Sequence, residues 1–277
     1  MNGNAPSTAP QPSGRERGVS DLVAFVLMFA IIITGVGIVS LGAFDNLEEF
    51  SDREQIESSE RGLSAAAATL DNLHRQNDTR RSFSLALGGG SVYLNESEIG
   101  INVTNSSYSE FNETYLINAT EHRFDRSPED ITVAYEGGGV FRRPGFGSRY
   151  QPSLECTNDT AIVSLVKLEA DNFAISKGYD STTTLNPRGL PGESPVADLD
   201  DTLLFSATIV EQEPRIARDV GEGLRINVTE SANPEQWEDY LEGSGWSDVT
   251  TSDDVYQYEC ESVDTVLVRI STVELSL

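Results

Sequence analysis

Residues 22 to 44 read LVAFVLMFAIIITGVGIVSLGAF and contain no charged side chain. No other stretch limits the chain's options so strongly. A run of this length matches the ~20 apolar residues needed to cross a bilayer core. Thr34 and Ser40 can return their hydroxyls to the helix backbone. Gly35, Gly37 and Gly42 leave room for a neighbouring helix. The expectation is a transmembrane helix over residues 19–44. Arg15 and Arg17 precede it and Asp and Glu dominate after it. By the positive-inside rule, residues 1–18 form a cytoplasmic leader, and the single-pass chain carries its C-terminal part outside the cell membrane.

An ordinary secretory signal has a shorter apolar region followed by a small-residue cleavage site. Here the run is longer, and acidic residues follow it directly. Met1 to Gly14 are polar, with Pro6, Pro10 and Pro12, a composition that reads as disordered. Arg15-Glu16-Arg17-Gly18-Val19-Ser20-Asp21 then leads into the apolar run.

This Arg-Gly-Val junction resembles the class III signal of archaeal type IV prepilins. The resemblance implies that a prepilin peptidase cuts between Gly18 and Val19 and leaves the apolar helix on the mature protein. It also implies assembly through residues 19 to about 50, with Leu22, Phe25, Phe29 and Ile32 as the packing stripe. Many pilins carry Glu at the fifth mature position, where this chain has Val23. An uncleaved signal anchor gives the same topology without processing or a filament.

Residues 45–76 read as an extracellular stem helix. Phe44, Leu47, Phe50, Ile56, Leu63, Ala66, Ala67, Leu70 and Leu73 recur at helical spacing, and no proline intervenes. A shorter helix broken near Gly62 is the alternative. From Ser82 the period changes to two, so residues 82–277 form a head rich in strands. Phe83, Leu85 and Leu87, then Gly88-Gly89-Gly90, then Val92 and Leu94, read as a hairpin. Other strands are expected at 99–103, 115–119, 131–135, 140–142, 161–168, 202–210, 224–228 and 265–273. One short helix stands among them. Asn233 suits its N-cap, Pro234 its first position, and Gly243 its end. Trp237, Tyr240 and Leu241 form its apolar face. The Tyr135-Glu136-Gly137-Gly138-Gly139-Val140 segment and this helix are similar to the heads of haloarchaeal pilin-like proteins. The fold class expected is α+β: a long helix, transmembrane plus stem, before an antiparallel β-rich head.

Asp and Glu total 45 against 19 Lys plus Arg, of which only Lys167 and Lys177 are Lys, and the net charge is −26. Dense carboxylates with little Lys suit a halophilic protein, because strong salt screens like charges. The same field repels phosphates and excludes nucleic acid as a partner. Cys156 and Cys260 are the only cysteines. In an oxidising space they would close a loop of roughly 100 residues, worth ~4–5 kcal/mol; otherwise they are two unrelated thiols. Asn77, Asn95, Asn102, Asn105, Asn112, Asn118, Asn158 and Asn227 begin Asn-X-Ser/Thr sequons. Such a sequon is a glycan acceptor only on an exposed, exported segment. A Ser/Thr-rich surface also produces some by composition.

Catalytic signatures are missing: no G-x-S-x-G elbow, no H-E-x-x-H and no Walker loop. His74 and His122 read as surface residues, and the glycine triplets as turns. Asp198, Asp200 and Asp201, and likewise Asp248, Asp253 and Asp254, lack EF-hand spacing and read as solvated acids. The chain is therefore expected to be no enzyme, with no cofactor and no metal. Its partners would be membrane lipid, other pilin-like subunits and a prepilin peptidase. Two readings stay open. One is a cell-surface pilin-like assembly protein with an acidic head exposed for contact or adhesion. The other is a signal-anchored extracellular binding module, neither processed nor assembled.

Overall fold

The computed structural model describes residues 15–76, 78–86, 91–103, 111–124, 130–145, 148–169, 173–177, 183–187, 202–228, 230–251 and 256–276. Two compact units divide the chain, Met1–Ser51 and Asp52–Leu277. Helix α1 (Arg15–Gln76) runs through the end of the first unit and the start of the second. Within the first unit, every described side chain from residue 22 to residue 38 is exposed.

In the second unit α1 changes character. Ile56, Leu63, Ala66, Ala67, Leu70 and Leu73 are buried. Their spacing puts them on one helix face. Ala66 and Ala67 carry almost no side chain, so the helix axis can come close to what it packs on. That surface includes Leu85, Val92, Phe124, Val133, Leu168, Phe205 and Val273. Burying each large aliphatic group contributes about 1.5–3 kcal/mol. Residues 52–76 are thus a core element of the head and not a solvated stem. The head begins near Asp52 rather than at residue 82.

Two sheets complete this unit. The first joins β1 (Arg80–Ala86), β3 (Glu98–Val103), β4 (Glu113–Leu116), β9 (Ser153–Cys156), β10 (Thr160–Glu169), β13 (Thr202–Val228), β14 (Ser247–Asp248) and β15 (Tyr256–Ser276). Its order is β4-β3-β13-β15-β10-β9, with β1 on β13 and β14 on β15. The second joins β2 (Ser91–Asn95), β5 (Ala119–Phe124), β6 (Ile131–Glu136), β7 (Gly139–Arg143), β8 (Ser148–Tyr150), β11 (Phe173–Lys177) and β12 (Thr183–Pro187). Its order is β12-β11-β2-β5-β6-β7-β8. Helix α2 (Pro234–Gly243) buries Trp237, Tyr240 and Leu241 in a second core cluster with Phe141, Leu154 and Leu165.

The fold class differs from the α+β expectation. Strand dominates the described chain. The first sheet is mixed, because β10 runs parallel to β15 along ten paired positions from Thr160↔Thr265 to Glu169↔Glu274. Among the described residues, no helix is long and apolar enough to cross a membrane. The expected transmembrane helix over 19–44 is corrected accordingly, and with it the single-pass cell-membrane location.

Among the described residues, the strands on either side of Gly88–Gly90 do not pair with each other as the expected hairpin requires. β1 pairs with β13, whereas β2 pairs with β5 and β11 in the other sheet. The strands expected at 202–210 and 224–228 are one strand of 27 residues, β13. It is held along nearly its whole length by β15, with register shifts that absorb the irregular middle.

Candidate assembly surface and the polar interior of the head

The apolar part of α1 presents a continuous face. Leu22, Phe25, Phe29 and Ile32 are 65%, 67%, 55% and 52% exposed. Their spacing of three and four residues lays them along one stripe. Phe25 and Phe29, one turn apart, stack with ring centroids 6.2 Å apart. A Cβ placed on Gly35 or Gly37 would meet no heavy atom within 4 Å. Another helix can therefore approach the backbone closely there. An exposed apolar surface of this extent is exceptional in a soluble chain and marks an interaction surface. Gly18 and Val19 lie on the backbone of α1, and their side chains fall outside the described residues.

The head interior holds a carboxylate that the sequence did not single out. Glu136, the last residue of β6, is fully buried. Its Oε1 accepts from the Ser97 hydroxyl and, at 2.7 Å, from the Ser231 hydroxyl. Its Oε2 accepts from the Asn233 amide at 2.6 Å. Burial raises its pKa, and its polar neighbours Asn233, Ser97, Ser231 and Trp237 pull the other way. The adjacent Gly137 and Gly138 form the turn into β7 with φ of 59° and 108°, a region that favours glycine. Asn233 spends its amide on Glu136 and makes no side-chain cap on α2, contrary to expectation. The signal available in sequence was a Glu directly before three glycines.

A second network surrounds Glu121, which is 1% exposed. It accepts from Arg143 at 2.8 Å, from Asn95 at 2.7 Å, and from Arg123. Arg123 also lies 4.8 Å over the Tyr93 ring. Next to it, His122 is not the surface residue expected. It is fully buried, with Nδ1 2.7 Å from the Ser59 hydroxyl and its ring 4.3 Å from that of Phe124. β5 is buried on both faces, and α1 supplies the polar partner. The His74 side chain falls outside the described residues.

A family model matches residues 17–277, from just before the apolar run to the end of the chain. The chain belongs to the family of unknown function DUF7289. No curated protein and no solved structure matches it.

In this DUF7289 chain the sequons separate by environment. Asn112 and Asn158 are exposed, and Asn102 is half-buried with its amide 3.2 Å from Asn112. Asn95 and Asn118 are committed elsewhere: their side-chain nitrogens donate to Glu121 and to the Leu168 carbonyl, each at 2.7 Å. A glycan would take that same nitrogen. Asn227 sits within β13, half-buried and paired on both sides. Asn77 and Asn105 lie outside the described residues. Cys156 of β9 and Cys260 of β15 form a disulfide, with Cα atoms 5.6 Å apart. Asp198, Asp200, Asp201, Asp253 and Asp254 lie outside the described residues. Asp248 is exposed, and hydrogen bonds from Thr250 lower its pKa. No group of metal-ligating residues occurs among the described residues.

Proposed function

We propose that this DUF7289 chain is a type IV pilin-like assembly subunit whose N-terminal helix packs against the same helix of other copies. The observation that carries the reading is the exposed apolar run from residue 22 to residue 38, in a chain of net charge −26. So acidic a head repels its own kind and stays solvated. The apolar helix has the opposite character, and burying it against identical helices removes its surface from water. A copy of the same segment is a matching occupant, because the bare backbone at Gly35 and Gly37 admits a close neighbour. The Arg17-Gly18-Val19 junction supports processing by a prepilin peptidase before assembly. The acidic head is then left for contact with its surroundings.

The test uses the full chain from its native producer. The mature protein is expected to begin at Val19 and to sediment as large assemblies, visible as filaments by electron microscopy. Phe25→Asp with Phe29→Asp should reduce these to monomers while the head melts at the same temperature. Gly18→Leu should leave the precursor uncut. A wild-type protein that starts at Met1 and runs as a monomer would defeat the proposal and leave the unprocessed binding module.

A further inference from the structure

A cavity of about 210 Å³ opens within the second unit, between the buried face of α1 and the edges of both sheets. Its wall combines three kinds of group. Ala67 and Val166 supply a small apolar patch. Asp71 and Arg75, one turn apart on α1, pair at 2.8 Å. Tyr135 reaches it from β6, only 2% exposed, and its hydroxyl has no hydrogen-bond partner. Burial, followed by the nearby Asp71 charge, holds that hydroxyl well above the ordinary tyrosine pKa. It is therefore a permanent O–H donor without an acceptor. Buried polar groups are normally satisfied, and among the protein's own atoms none accepts from this hydroxyl.

We propose that this cavity binds a neutral polyhydroxylated molecule the size of a single monosaccharide. Its volume is about seven times the roughly 30 Å³ share of one liquid water, yet below the ~300–1,000 Å³ typical of drug-sized ligands. Charge decides the rest. An anion would accept from Tyr135 but would face the carboxylates of Asp71 and Glu155, which also line the site. A simple cation would be drawn to Asp71 and Glu155 but would face the Arg75 guanidinium and offer Tyr135 no acceptor. Asp71 keeps capacity on its second oxygen, since the Tyr150 hydroxyl is 3.5 Å from it, at the limit of a hydrogen bond. A sugar hydroxyl both donates and accepts, so it can satisfy Tyr135 and Asp71 at once. Its C–H face can rest on Ala67 and Val166.

The inference is independent of helix assembly. Ligand-observed NMR on the full chain would titrate D-glucose, D-galactose, D-mannose and myo-inositol, with D-glucuronate and D-glucosamine as charged probes. At least one neutral probe is expected to saturate, and each charged probe to bind at least tenfold more weakly. Tyr135→Phe, which keeps the ring, should weaken the neutral probe at least tenfold. Asp71→Asn should weaken it severalfold. The Phe25→Asp, Phe29→Asp protein should bind as wild type does. Saturation by none of the neutral probes would show a water-filled cavity and overturn the proposal. Equal binding by Tyr135→Phe, or tighter binding of a charged probe, would overturn it as well.

Discussion

Replacing Cys156 and Cys260 with alanine is expected to destabilise the head by about 4–5 kcal/mol in the chain-entropy account of a disulfide. The size follows from a sequence separation of 104 residues. Without the bridge, the unfolded chain regains the freedom that a loop of this length had removed. The bridge also joins strands that do not touch directly, since β10 lies between β9 and β15. β9 is the outer strand of that sheet, held there by four backbone register pairs with β10. Around the bridge the packing is close. The Cys156 N–H donates to the Ser244 carbonyl at 3.2 Å. A Cβ on Gly245 would lie 2.7 Å from the Cys156 carbonyl oxygen. Losing the bridge frees this corner first, so β9 should show the earliest hydrogen exchange. For a domain of this size the melting temperature should fall by roughly 10–15 °C. Urea unfolding of the double alanine variant, and of wild type with and without reductant, checks the value. A loss under 1 kcal/mol would refute it.

The second large effect is expected at Glu136. Glu136→Ala removes the acceptor of Ser97, Ser231 and Asn233 together and leaves three donors in the interior, at a cost of about 3–5 kcal/mol. Glu136→Gln should cost far less. Its carbonyl keeps the two serine bonds. Its amide can donate to the Asn233 side-chain oxygen, which has no partner in the wild type, once that amide turns over. The two variants therefore separate loss of contact from loss of charge.

The same residue predicts a pH dependence. Burial raises the folded pKa of Glu136 above its unfolded value. The folded protein then holds this proton more tightly than the unfolded chain does. Stability from protonation is fully present below the ordinary Glu value of about 4.3 and is lost as pH rises through the raised folded value. Glu136→Gln cannot titrate, so it should gain on wild type between pH 4 and pH 8. The other carboxylates act in both proteins and cancel in the difference. Urea midpoints across that range would measure it, and parallel curves for the two proteins would rule the idea out.

Local patterns were legible in the sequence. Short apolar runs marked β6, β7 and β10, and along β10 nearly every second side chain is buried. Pro234 and the spacing of Trp237, Tyr240 and Leu241 marked α2. Helical spacing marked the residues of α1, and the absence of charge from residue 22 to residue 44 marked the apolar run. Each of these signals lies within a few turns or one strand of itself.

Tertiary structure decided what is paired with what. Gly88–Gly90 looked like a hairpin turn, yet the partner of β1 lies more than a hundred residues away on β13. The middle of β13 is charged and reads as a loop, but β15 supplies a partner along it. His122 looked exposed among charges until α1 brought Ser59 against it. The helix before the head looked like a stem, and packing made its residues 52–76 part of the core. Nothing near Glu136 in the chain announces its donors, which come from positions 97, 231 and 233. Period and composition are written along the chain. Burial and hydrogen-bond partnership arise only when distant segments meet, so the sequence alone determined the elements, and the fold determined their neighbours.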